Sequence, residues 1–581
     1  MLYLPELRAN YQIRTMTEVF GGYNHNLKIS EGEWYHEKNL SARAYPLFAE
    51  REKRGLYHQG AEKITGILAK DALAWVEGST LWYNGYPVSG ITLSEGEKQL
   101  VSMGAYLCVF PDNVYVNTQN LADFGHMGAE FTASGQITYT PCRLDGTPYE
   151  GVAQADSAPG TPANGDLWMD TSGDIHVLKQ YSASTGMWTD IPTVYVKISV
   201  SGIGTLFSKY DGVSLSGCEG TEQIKALNGD IVLQDAGEDY VIVTGILDRE
   251  YVQDGGSITL SRKIPRMDFV CESGNRLWGC FYGMTGGVMV NQIFACKLGD
   301  FKNWNCFMGI ASDSYAVSVG TDGAFTGAVT YLGYPTFFKE NCVHRIYGST
   351  PGSYQVQTTQ LRGVQKGSER SLAILNEVLY YKSNTDICAY DGSLPVGISE
   401  QLGGVMYRNA RAGAGNGRYM VSMQDMEDKW HLFSFDPRKG IWHREDDARA
   451  VGFCAWGPEV YFIDSEKNAV MTVHGTEGTH EEDVEWMAES GMIGYDAPDR
   501  KYVSRFNIRM RLEKGASLTL GIEYDSNGIW TDQGTVAGTG ADAFVFPVIP
   551  RRCDHFRIRL SGRGGVRVYS MSKILEQGSD M

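Results

Sequence analysis

A hairpin pattern that recurs about every 40 residues constrains the fold of this chain more than any other feature. In residues 376–395, NEVLYYKSNTDICAYDGSLP, an aromatic strand around Tyr380 is followed by a polar corner, a second apolar strand and an Asp-Gly turn pair. Such a pair favours positive φ and therefore a tight connection. The same order of features surrounds Tyr419 and Tyr461, and the three tyrosines are spaced by 39 and 42 residues.

A period of about 40 to 50 residues with hairpin-linked strands is typical of β-propellers, whose blades are four-stranded sheets. One blade cannot cover its own faces, so its neighbours must pack on both sides. Fainter copies of the pattern begin near Lys70, Tyr106, Glu272 and Cys342. The 69 glycines and 33 tyrosines, against only 18 prolines, favour strands joined by glycine-containing turns. We therefore predict an all-β fold with a β-propeller of about six blades.

The chain divides into four predicted segments. Residues 1–127 hold an N-terminal segment and the first propeller blades, and residues 265–480 hold the remaining blades. Between them, residues 128–264 contain a loop rich in Pro, Gly and Ala that starts at Gly151, followed by alternating strands, which predicts one or more small β domains inserted on a blade loop. Such an insertion is tolerated because loop-closure entropy grows slowly with length. Residues 481–581 form a predicted C-terminal β-sandwich.

Strict alternation of polar and apolar residues marks the C-terminal segment. In RFNIRMRL, residues 505–512, and HFRIRL, residues 555–560, every second residue is polar and is often arginine. Alternation of this kind gives a sheet one apolar face and one wet, basic face. We expect the basic face to contact acidic neighbours. We also expect residues 1–30 to add a strand to a sheet of this chain or to reach a neighbouring subunit.

The charge of the chain argues against one class of function. With 51 Lys and Arg against 69 Asp and Glu, the formal net charge is −18, so wrapping nucleic acid by phosphate neutralisation is not the main function. A surface of like charge nevertheless lets nucleic acid pass without retaining it. No stretch approaches the roughly 20 apolar residues of a membrane-spanning helix, and the N-terminus lacks a secretory signal pattern. We expect a protein that folds inside the cell that makes it.

No pattern for catalysis or cofactor binding stands out in the sequence. The eleven histidines lie far apart, and HExxH, G-x-S-x-G and Walker A patterns are absent. Eleven scattered cysteines without a CxxC pair indicate buried apolar side chains rather than disulfides or a zinc site. Asp170 and Asp174 offer oxygen ligands for calcium, but their spacing fits no known loop, and a solvated turn is the preferred interpretation. We expect no enzyme activity, no cofactor and no metal.

Three aromatic residues of the inserted segment are the candidate contacts for a glycan or a protein partner. Trp168, Tyr181 and Trp188 lie within a short stretch that we expect to fold as a small β-module. Exposed aromatic rings stack on sugar rings, but aromatic residues in a small module more commonly form its core. Both interpretations stay open from the sequence.

Several stretches resemble tail proteins of tailed bacteriophages. In NLSARAYPLFAEREKRG, residues 39–55, an Asn-Leu-Ser step leads to Tyr-Pro and then to an arginine-rich stretch. The residues at the corresponding places are Asn39, Leu40, Ser41, Tyr45, Pro46, Arg51 and Arg54. TLWYNGYPVSG, KENCVHRIYGSTP and RRCDHFRIRLSGRGGVRVYSMS are similar to further parts of those proteins, and APGTPANGDLWMDT resembles a small module of phage tail and fibre proteins. The resemblance covers most of the chain outside parts of 189–264.

The resemblance implies a structural protein of the virion, most similar to the propeller-based nozzle at the end of a short tail. Such a protein forms a closed ring, usually a hexamer, around the DNA exit channel and takes part in DNA ejection. The implied partners are further copies of the chain, portal or adaptor proteins, tail fibres, and genomic DNA that passes without specific binding. Insertion of this chain into a membrane is not implied. The implied location is the viral tail, after synthesis in the cytoplasm of the host bacterium.

Two alternatives remain open. One is a baseplate or fibre-type adhesin that binds a glycan of the host surface through the inserted module. The other is a propeller glycosidase that degrades the capsule, which requires two carboxylates facing each other across a cleft. In YDSNGIW, Asp525, Gly528 and Trp530 resemble a turn of sialidase-type propellers, but the gap from Asp to Gly is one residue too long.

Overall fold

Strands dominate the chain, and the expected all-β class is confirmed. The structure is a computed structural model that describes residues 12–149, 151–173, 177–191, 194–247, 250–494, 500–538 and 543–577. Within these residues it has 51 strands, β1–β51, and one short α-helix, α1 (Glu222–Lys225). Four 3-10 turns span Ala42–Ala44, Pro351–Ser353, Glu369–Ser371 and Glu400–Leu402. The chain separates into two compact units, one made of Met1–Leu100, Phe337–His344 and Thr358–Met581, the other of Val101–Thr336 and Arg345–Gln357.

The chain begins with short strands and two regular sheets. The N-terminal strands are β1 (Gln12–Thr17), β2 (Gly22–Tyr23), β3 (Glu33–Lys38), β4 (Phe48–Ala49) and β5 (Gly55–Gln59). The first sheet contains β6 (Ile64–Ala69), β7 (Leu73–Glu77), β8 (Thr80–Tyr83) and β9 (Tyr86–Pro87), and the second contains β10 (Gln99–Met103), β11 (Tyr106–Phe110), β12 (Val114–Asn117) and β13 (Asn120–His126). In both sheets the strands lie side by side in chain order. Asn84 and Gly85, between β8 and β9, both have positive φ, as a two-residue hairpin turn requires.

Residues 129–262 form two further sheets. Their strands are β14 (Ala129–Cys142), β15 (Ala153–Ala155), β16 (Leu167–Asp170), β17 (Val177–Ser182), β18 (Met187–Asp190), β19 (Tyr195–Ser199), β20 (Gly212–Ser216), β21 (Gly229–Val232), β22 (Asp235–Gly237), β23 (Tyr240–Thr244) and β24 (Tyr251–Arg262). A seven-stranded sheet has the order β21-β20-β24-β14-β19-β23-β22, and β15–β18 make a separate four-stranded sheet. The chain enters along β14 and leaves along β24, and these two strands pair antiparallel.

Four more sheets of four strands follow, again ordered as in the chain. They contain β25 (Phe269–Glu272), β26 (Leu277–Thr285), β27 (Val288–Ala295) and β28 (Tyr315–Ser318); β29 (Gly327–Tyr331), β30 (Tyr334–Phe338), β31 (Cys342–Tyr347) and β32 (Gln355–Gln360); β33 (Ala373–Leu375), β34 (Val378–Lys382), β35 (Ile387–Tyr390) and β36 (Val396–Gly397); β37 (Tyr407–Gly415), β38 (Arg418–Asp425), β39 (Trp430–Asp436) and β40 (Ile441–Asp446).

The next sheet is completed by the N-terminal segment. It contains β41 (Ala450–Trp456), β42 (Glu459–Asp464), β43 (Ala469–Thr472) and β44 (Thr479–His480), and β5 lies between β43 and β44. β5 pairs antiparallel with both neighbours. A strand from the other end of the sequence therefore covers an edge of β43 that would otherwise offer unpaired backbone groups.

The hairpin repeat seen in the sequence is confirmed. Tyr380, Tyr419 and Tyr461 occupy the second strands of three consecutive sheets, β34, β38 and β42, and all three are buried. Neighbouring sheets of the first unit pack through these tyrosines and through other buried residues of the same strands and their neighbours. The rings of Tyr380 and Tyr419 are 5.2 Å apart, Leu432 and Phe462 share one apolar cluster, and Tyr461 shares another with β6 and β7.

A similar contact occurs within the second unit. The sheets β10–β13 and β25–β28 share one apolar cluster, to which Cys108, Leu277 and Trp304 contribute. All three side chains are almost completely buried, with at most 2% of their surface exposed. Full burial of such side chains contributes roughly 1.5–3 kcal/mol each, so the faces of these sheets depend on one another for their stability.

The C-terminal strands form two sheets that share one core. The strands are β45 (Glu485–Ser490), β46 (Lys501–Leu512), β47 (Ser517–Tyr524), β48 (Trp530–Ala537), β49 (Ala543–Pro547), β50 (Phe556–Arg563) and β51 (Val566–Gln577). One sheet has the order β1-β51-β46-β49, with β4 also paired to β51, and the other has the order β2-β3-β45-β50-β47-β48. Phe506 and Ile508 from the first sheet and Ile558 and Leu560 from the second belong to one buried cluster.

Two expectations about this region are refined by the structure. RFNIRMRL and HFRIRL lie on two different sheets, as β46 and β50, rather than on one. From residues 1–30, β1 pairs with β51 of the same chain, while residues 1–11 lie outside the described part. The alternation in sequence predicts one apolar face per strand, but it does not say which strands share a sheet.

Candidate functional site

Trp168, Tyr181 and Trp188 lie together on one face of the sheet β15–β18. Trp168 of β16 is directly opposite Lys179 of β17, and Tyr181 is opposite Trp188 of β18. Residues in opposite positions of a pair project from the same face. The ring centroids of Trp168 and Trp188 are 5.4 Å apart, and those of Tyr181 and Trp188 are 5.3 Å apart. The structure thus brings all three predicted residues into one cluster, which we call the aromatic face.

The core of this small module lies on the opposite side of the sheet. Its apolar cluster contains Leu167, Met169, Leu178 and Val194. Trp168 is itself covered, with 6% of its surface exposed, and its indole N–H donates to the carbonyl oxygen of Ala155 at 3.0 Å.

Tyr181 and Trp188 are only half-buried. The aromatic face therefore presents two partly exposed rings supported by a buried one, and it is separate from the main core of the module.

Charged groups hold the aromatic face in place. The ammonium group of Lys179 lies 5.2 Å from the ring centroid of Trp168 and 2.8 Å from a carboxylate oxygen of Asp170. The hydrogen bond from Lys179 lowers the pKa of Asp170 to about 2, and Ser172 adds to this effect. Asp170 is thus already engaged, and Asp174, the second predicted calcium ligand, lies outside the described residues. Partly exposed rings beside fixed polar groups suit recognition of a sugar ring.

Residues 39–55 anchor the N-terminal segment through polar contacts. Asn39 has a φ of 58°, and its side chain donates to the carbonyl of Glu485 at 2.7 Å and accepts from Nε of Arg51 at 2.8 Å. Arg51 also contacts Glu481, with 2.8 Å between Nη1 and Oε2. Asn is one of the few residues that tolerates positive φ, so Asn39 combines an unusual backbone conformation with two tertiary hydrogen bonds.

Arg54 lies at the centre of a buried ionic cluster. Its guanidinium group contacts Glu445 at 2.7 Å and Asp446 at 2.6 Å, and the side chains of Arg54 and Glu445 are 1% and 2% exposed. Burial alone would raise the pKa of Asp446, but the charges of Arg54 and Arg51 outweigh burial and lower it. The cluster joins the N-terminal segment to β40, which lies about 390 residues further along the chain. We call Arg51, Arg54, Glu445, Asp446 and Glu481 the anchor cluster.

A second ionic contact lies beside the anchor cluster. Glu52 contacts His474 and Arg418, with 3.4 Å in each case between a nitrogen and Oε2. Burial alone would raise the pKa of Glu52, but the hydrogen bond with His474 and the charge of Arg418 lower it to about 2. The N-terminal segment is therefore held by carboxylates that favour the ionised state.

The two arginine-rich strands differ in their surroundings. The arginines of β50 are neutralised, in the pairs Arg557 with Glu489 and Glu523, Arg559 with Glu489, and Arg563 with Glu482. Arg505, Arg509 and Arg511 of β46 are exposed, and within the described residues their side chains make no hydrogen bond or ion pair. The basic face that the sequence predicts is therefore realised on β46, whereas β50 carries a neutralised face.

One side-chain arrangement was not foreseen from the sequence. Oγ of Ser526 lies 2.8 Å from Nε2 of His555, and Nδ1 of His555 lies 3.1 Å from Oδ2 of Asp554. This order of groups can polarise a serine hydroxyl, as in hydrolases. No motif signals it, because Ser526 lies in the turn after β47 and the other two residues lie before β50.

The three backbone amides that follow Ser526 already donate hydrogen bonds within the chain. The next three amides, those of Asn527, Gly528 and Ile529, donate to Tyr524, Glu523 and the side chain of Asn527 at 3.3, 2.8 and 2.9 Å. They are thus engaged and do not stabilise an oxyanion, which acyl transfer requires. Ser526, Asp554 and His555 form a chain of hydrogen bonds that joins two turns.

The described residues contain neither a metal-binding cluster nor a helix that could span a membrane. In the part of the chain that is described, no group of three or more His, Cys, Asp or Glu is placed to hold a metal ion. The helices in the described ranges are all too short and too polar to cross a bilayer. All eleven cysteines are free, and Cys454 is the one that is only half-buried.

Comparisons with known proteins add little. No protein-family model matches the chain, and no curated protein matches it in sequence. A solved glycoside hydrolase is 9% identical over 68% of this chain and 94% of its own, with a TM-score of 0.16. A tryptic core variant of Cry1Da from Bacillus thuringiensis is 9% identical over 52% of this chain and 50% of its own, with a TM-score of 0.12. Similarity this weak supports no argument about function.

Proposed function

We propose that the chain is a structural subunit of a bacteriophage tail that assembles with further copies into a closed ring, a hexameric nozzle around the DNA exit channel. The observation that carries the proposal is the separation of charge along the chain. Residues 500–577 contain 13 Lys and Arg against 7 Asp and Glu, although the whole chain has a net charge of −18. A cationic surface on an acidic protein favours head-to-tail contact between copies, and closed rings are built from such contacts.

The ring requires a stiff subunit, which we propose to be a β-propeller joined to a C-terminal β-sandwich. The blades are β6–β9, β10–β13, β25–β28, β29–β32, β33–β36, β37–β40 and β41–β43 with β5, and this proposal therefore has seven blades rather than about six. Support comes from the chain-ordered strands, from the packing of neighbouring sheets within each unit, and from the N-terminal strand β5 that completes the last sheet. A terminal strand in the last blade is a common way to close a propeller by backbone hydrogen bonds.

The exposed arginines of β46 are the proposed contact with the next subunit. Arg505 and Arg509 project from the same face of the strand, and Arg14 of β1 lies in the same row as Arg505, because both are paired with Ile574 of β51. These three guanidinium groups are exposed. Acidic surface of a neighbouring copy would neutralise them and set the register between subunits.

The acidic residues outside the C-terminal strands suit a channel through which DNA passes. Six copies would carry a formal charge of −108, six times −18. A negative lumen repels the phosphate backbone, so DNA moves through without contacts that retard it. In this proposal the chain has no catalytic function, and its implied partners are portal or adaptor proteins and tail fibres.

The oligomeric state tests this proposal directly. Native mass spectrometry and negative-stain microscopy of the purified chain, alone and with the portal complex, should show closed rings. The variant Arg505→Glu/Arg509→Glu should lose them, while Arg438→Glu/Lys63→Glu, which reverses two other exposed charges, should keep them.

Labelling virions with an antibody against the chain should mark the tail tip. A chain that stays monomeric with the portal complex and is missing from purified virions would refute the proposal.

The aromatic face favours a second candidate, a baseplate or fibre-type adhesin. Its supporting observation is that Trp188 and Tyr181 are partly exposed on the side of the sheet away from the module core. Binding of the purified chain is measured on a glycan array and on cells of the host, with cells of other bacteria as the negative control. Binding should vanish in Trp188→Ala and persist in Trp456→Ala, which changes a second exposed tryptophan. Binding that is unaffected by Trp188→Ala would exclude this candidate.

A further inference from the structure

A cavity of about 700 Å³ opens where β46 ends and β51 begins. Six polar side chains line it, namely Arg43, Glu50, Arg511, Glu513, Lys514 and Arg567. Its size is that of a site for a small organic ligand, which typically has a volume of roughly 300–1,000 Å³.

Two arginines face each other at this cavity. Arg511 of β46 is directly opposite Arg567 of β51, and both side chains are exposed. Within the described ranges, neither side chain makes a hydrogen bond or an ion pair. Like charges directly opposite each other destabilise an antiparallel pair. An anion bound between the two guanidinium groups would turn this repulsion into a favourable contact.

The other charged side chains at the cavity indicate the net charge of a ligand that would balance them. Arg43 and Glu50 neutralise one another through their side chains, and the second oxygen of Glu50 accepts from the amide of Val566 at 2.9 Å. Three other cations, Arg511, Arg567 and Lys514, then stand against the single carboxylate of Glu513. The excess of two positive charges matches a phosphate monoester, which carries about −1.5 to −2 at neutral pH.

Glycine keeps the wall of the cavity open. A Cβ atom added to Gly565 would lie 2.3 Å from the carboxyl carbon of Glu513, and one added to Gly538 would lie 1.9 Å from the carbonyl oxygen of Glu513. The contact at Gly538 is with backbone, so only glycine fits there, whereas the contact at Gly565 is with the end of the flexible Glu513 side chain. Because Gly538 and Gly565 have no side chain, the cavity beside Glu513 stays open.

We propose that this cavity binds a phosphate monoester carried by a small organic group, such as a sugar phosphate. The planar guanidinium groups of Arg511 and Arg567 match the oxygens of a phosphate in a bidentate manner, and Lys514 contributes a point charge. The cavity leaves room for the organic group. This site does not depend on ring formation, because its residues belong to one chain.

Calorimetric titration of the full chain with glucose 6-phosphate, inorganic phosphate and glucose tests the proposal. Glucose 6-phosphate should bind, inorganic phosphate should bind more weakly, and glucose should not bind. Arg511→Gln and Arg567→Gln should each weaken binding roughly tenfold or more, because each removes a charge-assisted hydrogen bond. Arg438→Gln, at an exposed arginine outside both the cavity and the proposed subunit contact, should leave the affinity unchanged.

Thermal unfolding distinguishes loss of the site from loss of the fold. Without ligand, Arg511→Gln should melt at or above the temperature of the parent, because it removes the repulsion. Glucose 6-phosphate should then raise the melting temperature of the parent and of Arg438→Gln, but not that of Arg511→Gln. Binding of glucose as tight as that of glucose 6-phosphate, unchanged binding in both arginine variants, or no binding of any phosphate would overturn the proposal.

Discussion

Replacement of Arg54 by methionine should destabilise the first unit strongly. Arg54 and Glu445 are almost completely buried, so the substitution would leave the carboxylates of Glu445 and Asp446 without their main counter-charge. Methionine retains much of the aliphatic stem of arginine and limits the loss of packing. Removal of one partner from a buried ion pair costs about 3–5 kcal/mol, because the remaining charge is neither hydrated nor paired.

The expected change is large enough for a simple thermal assay. For a cooperative unit of about 330 residues, the size of the first unit, 1 kcal/mol corresponds to roughly 1.4 °C, so Arg54→Met should lower the melting temperature by about 4–7 °C. Hydrogen exchange should quicken first in β40 and β44, which the anchor cluster connects to the N-terminal segment. The control is Arg563→Met, whose ion pair with Glu482 is 51% and 91% exposed. It should cost at most about 1 kcal/mol.

A triple variant separates charge from packing. Arg54→Met/Glu445→Gln/Asp446→Asn removes the stranded charges as well as the arginine, and it should recover part of the lost stability. The reasoning would be refuted if Arg54→Met melted within about 1 °C of Arg563→Met. It would also fail if the triple variant were no more stable than Arg54→Met, because packing and not charge would then explain the loss.

Three further predictions concern other residues. The pKa of Glu52 is lowered from 4.5 to about 2 in the folded chain. The contribution of Glu52 to the free energy of unfolding is therefore present above pH 4.5 and is lost as the pH falls toward 2. When the pH is lowered from 4.5 to 2, the melting temperature should fall less in Glu52→Gln than in the parent. Trp168→Ala should unfold the module formed by β15–β18, because loss of the buried ring costs about 3–5 kcal/mol, whereas Trp188→Ala should leave the module folded. Limited proteolysis measures the difference, and equal rates of cleavage in the two variants would contradict the prediction. The rate of hydrolysis of p-nitrophenyl acetate should be the same for Ser526→Ala as for the parent. Labelling of Ser526 in the parent by a fluorophosphonate probe would contradict this, because it would show that the serine is a nucleophile.

Local features were predictable from the sequence because strand, turn and next strand are neighbours in the chain. The hairpins around Tyr380, Tyr419 and Tyr461 follow directly from alternating residues and turn pairs. The sequence also identified Trp168, Tyr181 and Trp188 as candidates. It did not show that they share one face, because that depends on the register between β16, β17 and β18.

Long-range features were not predictable because no local pattern reports them. The position of β5 between β43 and β44, and the contact between Arg54 and Asp446, join parts of the chain about 390 to 420 residues apart. The arrangement of Ser526 with His555 arises in the same way, from two turns that meet only after β47 and β50 have paired.

By itself, the sequence determined the all-β class, the hairpin repeat, the net charge and the alternation that gives each C-terminal strand one polar face. These properties depend on residue type and on spacing over a few positions. Only the tertiary structure decided that the arginines of β50 meet glutamates while those of β46 meet none among the described residues, although both strands show the same pattern. The physical reason is that the charge state of a surface depends on which strands and loops lie beside it, and pairing between distant segments decides that.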